Sequence, residues 1–308
     1  MSYSELKKIT IIESIKELKL DDSMRQQILQ MPKGEQRLGL AESNASVINA
    51  FKIKYRSTNG NLVTGYIVEP KEITKPAPVI IPCRGGTGSI SQWEDSHMFS
   101  PFVAKYALNG YITITTQYSG NDGSEGQDEF GGRELEDVLT LKNIINQYNL
   151  ADNSRVGISG GSRGGLMVYQ MLRKVDWLKG AIIFAAPTNI AEVYSYRPDM
   201  LEFHSTLYNT QDSQELKKRS PIFWANELCK TTPILLVHGT GDGVDRADQS
   251  LNIAQELYKY KVPFDLRIFA GADHRLTQVN EEFSKIAMDF LNKYVRDEFP
   301  LPDLNLKK

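Results

Sequence analysis

The stretch that most constrains the fold of this chain is residues 155–172, RVGISGGSRGGLMVYQML. A short apolar run ends at Ile158, and apolar residues recur at helical spacing from Leu166 onward, so the chain must reverse within the glycine-rich segment 160–165. Strand, sharp turn and helix in this order are the context of a G-x-S-x-G elbow, in which a strained turn lifts a serine hydroxyl clear of the edge of a sheet. The sequence therefore predicts a fold built around one presented serine.

The elbow motif fits this stretch twice, once around Ser159 and once around Ser162. A helix that began directly after Ser159 would have four glycines among its first six residues, whereas a helix that begins at Arg163 has two. Gly160 and Gly164 are the small residues that the elbow needs where its backbone crowds a neighbouring strand. We therefore predict Ser162 as the nucleophile and Ser159 as a strand residue. The alternative is a phosphate-binding turn, but the glycine spacing is not G-x-G-x-x-G.

The composition limits the classes of partner. The chain has 308 residues, 41% hydrophobic and 24% charged, which is enough for a large α/β domain. A net charge of -2 without long charged runs argues against nucleic-acid or membrane binding, so the predicted partner is a small-molecule ester or short peptide. Self-association into a homo-oligomer stays open. We expect a cytoplasmic protein, because no stretch has the apolar run of a signal peptide or a membrane span.

The apolar patterns divide the chain into two predicted segments. Residues 1–45 are predicted as a helical N-terminal extension. It has one helix over residues 6–20 and a second helix, for which Asp21, Asp22 and Ser23 offer an N-cap and which Pro32 and Gly34 end. Residues 46–308 are predicted as one α/β domain with a mostly parallel, twisted sheet and helices on both faces, because strands and helices alternate. The connection at about residues 188–232 is too long for an ordinary loop and is predicted as a cap. The predicted strands cover residues 51–55, 62–68, 76–83, 111–118, 156–158, 180–187, 233–239 and 264–270. Asn59 and Gly60 are predicted to form a hairpin turn between the first two of these strands.

A serine nucleophile needs a base for its proton and an acid that holds this base in the right tautomer. His274 follows the last predicted strand, whereas the other three histidines lie elsewhere: His97, His204 and His238. The chain order Ser, Asp, His of this kind of site puts the acid before His274. Asp242 follows the end of the predicted strand 233–239 after two intervening residues and is the predicted acid, with Asp245 as its rival. Asp273, adjacent to the histidine, is expected to cap the turn.

The predicted oxyanion site needs two backbone N–H donors. Arg163, directly after the nucleophile, supplies one donor, and Gly85 and Gly86 allow the close backbone approach that the second donor requires, although an ordinary Gly-Gly turn is the alternative. Arg84 and Arg163 could together bind a substrate carboxylate. In the structural alternative, Arg163 pairs with an acid such as Glu134 or Asp137 and Arg84 extends into solvent.

Aromatic residues of the cap are candidates for the walls of a substrate pocket, with Tyr194 and Tyr196 foremost, followed by Phe203, Phe223 and Trp224. Core packing is the alternative for the last two. The two cysteines, Cys83 and Cys229, are predicted to be buried thiols rather than a disulfide. The predicted chemistry uses neither a metal nor an organic cofactor.

From about residue 51 onward the chain resembles the catalytic domain of the prolyl oligopeptidase family, within the α/β-hydrolase fold. The elbow GGSRGG is similar to that family's GGSYGG, and residues 220–242, SPIFWANELCKTTPILLVHGTGD, are similar to its approach to the catalytic aspartate. The DH pair that ends in His274, and its separation from Asp242, are similar as well. The resemblance implies a serine hydrolase that cleaves a peptide or ester bond through an acyl-enzyme. A carboxylesterase for small acyl esters and a non-catalytic binding protein of the same fold are the alternatives.

The chain departs from the family in three places. Its oxyanion loop reads Arg-Gly-Gly-Thr, residues 84–87, where the family usually has His-Gly-Gly-Pro or a tyrosine. Val244 follows the aspartate by two residues rather than three. The residues before position 51 are too few for the β-propeller that restricts larger members to short peptides.

Overall fold

The computed structural model describes residues 2–304. Met1 and residues 305–308, which the sequence interpretation assigned to the ends of the extension and of the α/β domain, lie outside the described residues. The described chain forms two compact units, of which the first contains residues 2–82, 88–127 and 136–154, and the second residues 83–87, 128–135 and 155–304. The boundary predicted at residue 45 coincides with none of these boundaries, and that division stays a prediction.

The strands of the first unit are β1 (Ile12–Leu18), β2 (Ile48–Arg56), β3 (Leu62–Pro70), β4 (Ala77–Cys83, with Cys83 in the second unit) and β5 (Ile112–Thr116). They lie in the order β1-β2-β3-β5-β4, with antiparallel pairing throughout except between β4 and β5. The predicted hairpin between β2 and β3 is confirmed, and Gly60 turns it with a φ of 91° that favours glycine.

The helices of the first unit are α1 (Ser2–Leu6), α2 (Asp22–Leu29), α3 (Gly34–Val47), α4 (Pro101–Leu108) and α5 (Leu135–Gln147, with Leu135 in the second unit). Of the three predicted N-caps of α2, Asp21 is the one observed, because its carboxylate accepts a hydrogen bond from the backbone N–H of Met24 at 2.9 Å, whereas Asp22 begins the helix. Apolar residues of α2, α3 and α4 form one buried cluster with Tyr66 and Val68 of β3.

The helix predicted over residues 6–20 is wrong. Residues Ile12–Leu18 form β1, which pairs antiparallel with β2 through a bulge between Ile12 and Ser14. The bulge adds a residue to the strand and disturbs the two-residue alternation that would have identified it. β-branched isoleucines fit a strand well, and pairing with β2 outweighs the helical spacing of the apolar residues.

The second unit has four strands among its described residues, which are β6 (Ala151–Gly161, from Arg155 onward), β7 (Leu178–Phe184), β8 (Ile234–Gly239) and β9 (Phe264–Phe269). They lie side by side in this order and are parallel. The helices are α6 (Arg163–Lys174), α7 (Ile190–Tyr196), α8 (Pro198–His204), α9 (Ser213–Lys218), α10 (Asp248–Lys259) and α11 (Asn280–Leu291). Because the strands are parallel, the loops that follow β6, β8 and β9 emerge at one edge.

The connection between β7 and β8, where the cap is predicted, contains α7, α8 and α9. Trp224 at its end is 3% exposed and donates a hydrogen bond from Nε1 to the carbonyl of Lys217 at 3.0 Å, so this side chain packs in the core, whereas Phe223 is 54% exposed. Neither cysteine forms a disulfide, but only Cys83 is buried, and the prediction of burial is wrong for the half-buried Cys229. Between residues 2 and 304, no helix combines the length and apolar character needed to span a bilayer.

Candidate active site

Ser162 occupies the turn between β6 and α6. Its backbone has a φ of 53° and a ψ of -132°, a strained combination for a residue with a side chain. The turn is held from the neighbouring strand, because the Ser162 N–H donates to the carbonyls of Phe184 at 3.0 Å and Ala185 at 3.1 Å. Ser159 lies within β6 and is 5% exposed. The structure therefore presents Ser162, rather than Ser159, at the elbow.

The elbow requires glycine at two of the predicted positions. A Cβ atom on Gly160 would collide with the carbonyl of Gly164, and one on Gly164 would collide with the carbonyl of Cys83. These obstacles are backbone atoms, which cannot move aside without shifting the turn or the strand. The expectation that small residues must stand two before and two after Ser162 is therefore confirmed.

The structure brings His274 and Asp242 together. His274 Nδ1 lies 2.8 Å from Asp242 Oδ2, and Asp242 Oδ1 accepts hydrogen bonds from the backbone N–H groups of Val244 at 2.8 Å and Asp245 at 3.0 Å. Burial alone would raise the pKa of Asp242, but hydrogen bonds from His238 and His274 hold it far below its ordinary value. Asp242 is therefore an ionised, fixed acceptor at neutral pH.

The contact with Asp242 also acts on the ring of His274. Burial lowers its pKa, but the hydrogen bond and the negative charge of Asp242 outweigh burial and raise the pKa above its ordinary value. Because Nδ1–H is donated to Asp242, Nε2 is the ring nitrogen that remains to accept a proton. Within the described chain no hydrogen bond joins the Ser162 hydroxyl to His274. Contacts of this kind commonly tighten only when substrate binds.

The other acids near His274 have different surroundings. Burial raises the pKa of Asp245 to about 6, and no hydrogen bond links its carboxylate to His274 in the described residues. The Asp273 carboxylate accepts from the N–H groups of Arg275 at 3.0 Å and Thr277 at 2.9 Å, which confirms its predicted role as a turn cap. Residues 2–304 contain no group of three or more His, Cys, Asp and Glu side chains suited to hold a metal ion.

His238, at the end of β8, is a member of the site that the sequence interpretation missed. Its side chain is fully buried, and its Nε2 lies 3.1 Å from Asp242 Oδ2 and 2.9 Å from the carbonyl of Asp245. Nδ1 lies 2.7 Å from the hydroxyl of Ser250 in α10. The available signal was a histidine that ends a wholly apolar strand and precedes the predicted acid by four residues.

The predicted oxyanion loop lies against the elbow. A Cβ on Gly85 would be 3.3 Å from the carbonyl oxygen of Gly161 and 3.6 Å from Ser162 Cβ, so the backbone of Gly85 closely approaches the serine. Arg163, whose N–H is the other predicted donor, begins α6. Its guanidinium Nη1 donates to the carbonyl of Gly86 at 2.9 Å. Helix and loop are thus tied together beside Ser162.

The Arg163 side chain is 1% exposed and forms ion pairs of 2.7 Å with both Asp128 and Glu134. The structural alternative with Glu134 as its partner is therefore confirmed. Asp137, the other acid considered, accepts hydrogen bonds from Ser119 instead.

The Arg84 side chain is also 1% exposed, so the expectation that it extends into solvent is wrong. Its Nη1 donates to the carbonyl of the next residue, Gly85, at 3.1 Å. The guanidinium folds back onto its own loop and is removed from water, and the Gly85 carbonyl supplies a hydrogen-bond acceptor for it.

The two candidate tyrosines of the cap contact other side chains of the protein. Tyr194 Oη contacts His204 Nδ1 at 2.8 Å and also bonds the hydroxyl of Tyr208. Burial and the charges of nearby arginines lower the pKa of His204 to about 4. Tyr196 is half-buried and lies under the guanidinium of Arg246, which is 4.2 Å from its ring centroid. The hydroxyl of Tyr194 is thus occupied by protein groups.

Solved structures share this architecture. The acylaminoacyl peptidase of Pyrococcus horikoshii matches with a TM-score of 0.71 and 22% identity over 83% of this chain and 43% of its own. An esterase of Pyrococcus furiosus matches with a TM-score of 0.64 and 17% identity over 79% of this chain and 90% of its own. The chain has the α/β-hydrolase fold.

The sequence profile of the prolyl oligopeptidase family matches residues 97–298, more than half of the chain. The chain belongs to that family, and its class is that of the serine hydrolases. The uncharacterized peptidase YtmA of Bacillus subtilis is 24% identical over 233 residues, which are 74% of this chain and 86% of YtmA. The chain spans only 41% of YuxL, a longer uncharacterized peptidase of the same organism. Residues 20–136 also match an acetyl xylan esterase profile.

Proposed function

We propose that this chain cleaves a peptide or ester bond of a small substrate through an acyl-enzyme on Ser162. His274 acts first as general base and then as general acid, and Asp242 orients it. The observation that carries the proposal is the 2.8 Å contact between His274 Nδ1 and Asp242 Oδ2, which leaves Nε2 for the proton of the serine. The site is independent of any metal or organic cofactor in this mechanism.

The reaction has two halves. Ser162 Oγ attacks the carbonyl carbon while its proton passes to His274 Nε2, and the oxyanion is stabilised by the N–H groups of Arg163 and of Gly85 or Gly86. Collapse of this intermediate breaks the bond to the leaving group, which takes the proton from His274. Water, deprotonated by His274 in turn, attacks the acyl-enzyme, and the proton returns to Ser162 as the acid product leaves.

A carboxylesterase is the second candidate. It is favoured by the match of residues 20–136 to an acetyl xylan esterase profile and by the likeness to an esterase over 90% of that chain. An alkoxide also leaves an ester without the protonation that an amine requires.

The two candidates are separated by kcat/KM on p-nitrophenyl esters and on aminoacyl and prolyl p-nitroanilides. The peptidase proposal expects turnover of at least one anilide, lost in Ser162→Ala. Turnover of esters alone would assign the chain as a carboxylesterase. Absence of any turnover would contradict both and return the chain to the binding-protein alternative.

The substrate-binding roles of Tyr194 and Tyr196 rest on their place in the segment after β7 and stay proposals. Substrate binding by Arg84 stays a proposal as well, although its buried guanidinium argues against a grip on a substrate carboxylate. The cytoplasmic location predicted from the sequence also stays a proposal, and whether the chain forms a homo-oligomer stays open. Light scattering coupled to gel filtration measures the latter directly. A mass of one chain would exclude self-association at that concentration.

A further inference from the structure

The Asp242 carboxylate is surrounded by hydrogen-bond donors on both oxygens. Oδ1 accepts from two backbone N–H groups of its own turn, those of Val244 and Asp245. Oδ2 is shared by two histidines, with His274 Nδ1 at 2.8 Å and His238 Nε2 at 3.1 Å. The oxygen that receives the predicted catalytic base is therefore also bound by a second histidine, whose ring is fully buried.

The neighbours of His238 fix its tautomer. Nε2 faces only acceptors, the Asp242 carboxylate and the carbonyl of Asp245, so this nitrogen carries the proton. In the neutral ring Nδ1 is then unprotonated and accepts the hydroxyl proton of Ser250 at 2.7 Å. The ring is fully buried at the end of β8 and cannot turn into solvent. Its N–H is thus directed at Asp242 by the strand and by α10.

We propose that His238 is a positioning residue of the active site, which fixes through its Nε2–H the orientation of the Asp242 carboxylate that receives His274. The contribution to catalysis rests on the proposed function, whereas the contribution to the geometry of Asp242 does not. A purely structural histidine would satisfy the buried turn without affecting the contact between Asp242 and His274. The two roles therefore predict different effects on the contact between Asp242 and His274 when the Nε2–H of His238 is removed.

Two amide substitutions at His238 distinguish these roles, because one keeps the N–H donor to Asp242 and the other removes it. The amide nitrogen of Gln reaches the position of a histidine Nε2, whereas that of the shorter Asn reaches only the position of Nδ1, on the side of Ser250. His238→Gln should therefore keep the donor to Asp242, and His238→Asn should lose it. Both variants place a neutral, polar side chain in the same buried site, so their stabilities should be similar.

The first readout is kcat for a p-nitrophenyl ester, divided by the number of sites that a fluorophosphonate titrates. We expect His238→Asn to lower kcat per titrated site by about 10- to 100-fold, the range typical of losing a partner that orients a metal-binding side chain. KM should change little, and His238→Gln should stay near the wild type. Titration removes the effect of misfolded molecules from the comparison.

The second readout is the pH profile. If the Asp242 carboxylate turns away, His274 loses the contact that raises its pKa against the effect of burial. The acid limb of kcat/KM should therefore move to lower pH in His238→Asn and not in His238→Gln. Asp245 and Arg275, the other charged groups that act on His274, are unchanged in both variants. A structural role would leave this limb in place.

The third readout does not depend on activity. The proton between His274 Nδ1 and Asp242 should give a downfield resonance in the proton NMR spectrum of the wild type and of His238→Gln, and this resonance should be lost in His238→Asn. If both amides fail to fold, Ser250→Ala keeps the ring but removes the donor to Nδ1. It should shift the resonance and kcat in the same direction by a smaller amount.

The proposal is overturned if His238→Asn keeps the wild-type resonance, or keeps the wild-type kcat per titrated site in an active enzyme, even with a lower melting temperature. A wild-type chain that neither hydrolyses esters nor reacts with fluorophosphonate contradicts the proposed function instead. In that case the resonance alone still decides whether His238 positions Asp242.

Discussion

Asp242 is the residue on which the chemistry of this site depends most. It is fully buried yet ionised, because its two oxygens receive hydrogen bonds from His238, His274 and two backbone N–H groups. A buried carboxylate without such partners would instead take up a proton. The same contacts stabilise a positive charge on His274, which is what a general base needs once it has accepted the proton of a serine.

The pH dependence of the reaction follows from these contacts. kcat/KM should fall as the pH is lowered through an apparent pKa above about 6.5, because His274 acts as a base only when neutral and Asp242 raises its pKa. In Asp242→Asn the negative charge is lost and burial dominates the pKa of His274, so the acid limb of the kcat/KM profile should move below about pH 6.5. kcat should fall by about 10⁴-fold.

The control is Asp265→Asn, in which an exposed carboxylate of β9 is removed. This variant should leave both the limb and kcat unchanged. A wild-type limb at or below pH 6.5 would show that Asp242 does not support His274.

Arg84 permits a test of substrate charge. Because its guanidinium is 1% exposed and bonds its own loop, Arg84→Gln should lower kcat/KM for succinyl and butyryl esters by the same factor. A carboxylate grip would instead cost the succinyl ester about 1–3 kcal/mol more transition-state binding than the butyryl ester. A selective loss on the succinyl ester would assign carboxylate recognition to Arg84.

Helix α6 is the element that joins the serine to the rest of the site. Its first residue supplies the predicted oxyanion N–H, and the side chain of the same residue, Arg163, reaches Gly86, Asp128 and Glu134. One residue thus connects the elbow, the oxyanion loop and the segment that precedes α5.

Removing this side chain should destabilise the fold. Arg163→Met leaves Asp128 and Glu134 without their buried counter-charge and should lower the free energy of unfolding by about 3–5 kcal/mol, measured by urea denaturation. Arg173→Met, at the other end of α6, breaks a partly exposed pair with Glu227 and should cost about 0–1 kcal/mol. Equal losses for the two variants would contradict a special role of the Arg163 ion pairs.

Elements with strong local signals were predictable. The glycines around Ser162 identified the elbow because only a strand-to-helix turn needs them at that spacing, and the NG pair identified the hairpin between β2 and β3. β1 was missed because its register and bulge are set by β2, more than 30 residues away in the chain. His238 was missed for a similar reason, since its function depends on side chains from a loop and from α10 that only the fold brings near.

For the whole molecule, fold and family fix the class of reaction but leave the substrate open. The chain covers most of YtmA and less than half of YuxL and of the acylaminoacyl peptidase, so the substrates of the longer relatives do not transfer directly. A fold specifies where a site lies, and the groups of the site specify its chemistry. The selectivity of this chain therefore has to be measured on its own substrates.

The most direct test of the central proposal is intact-protein and peptide mass spectrometry after reaction with a fluorophosphonate. The proposal predicts a single adduct on Ser162, which is absent in Ser162→Ala and retained in Ser159→Ala. The reaction should also be slowed strongly in His274→Ala, because the serine then lacks its base. An adduct that persists in Ser162→Ala, or that is lost only in Ser159→Ala, would contradict the assignment of Ser162 as the nucleophile.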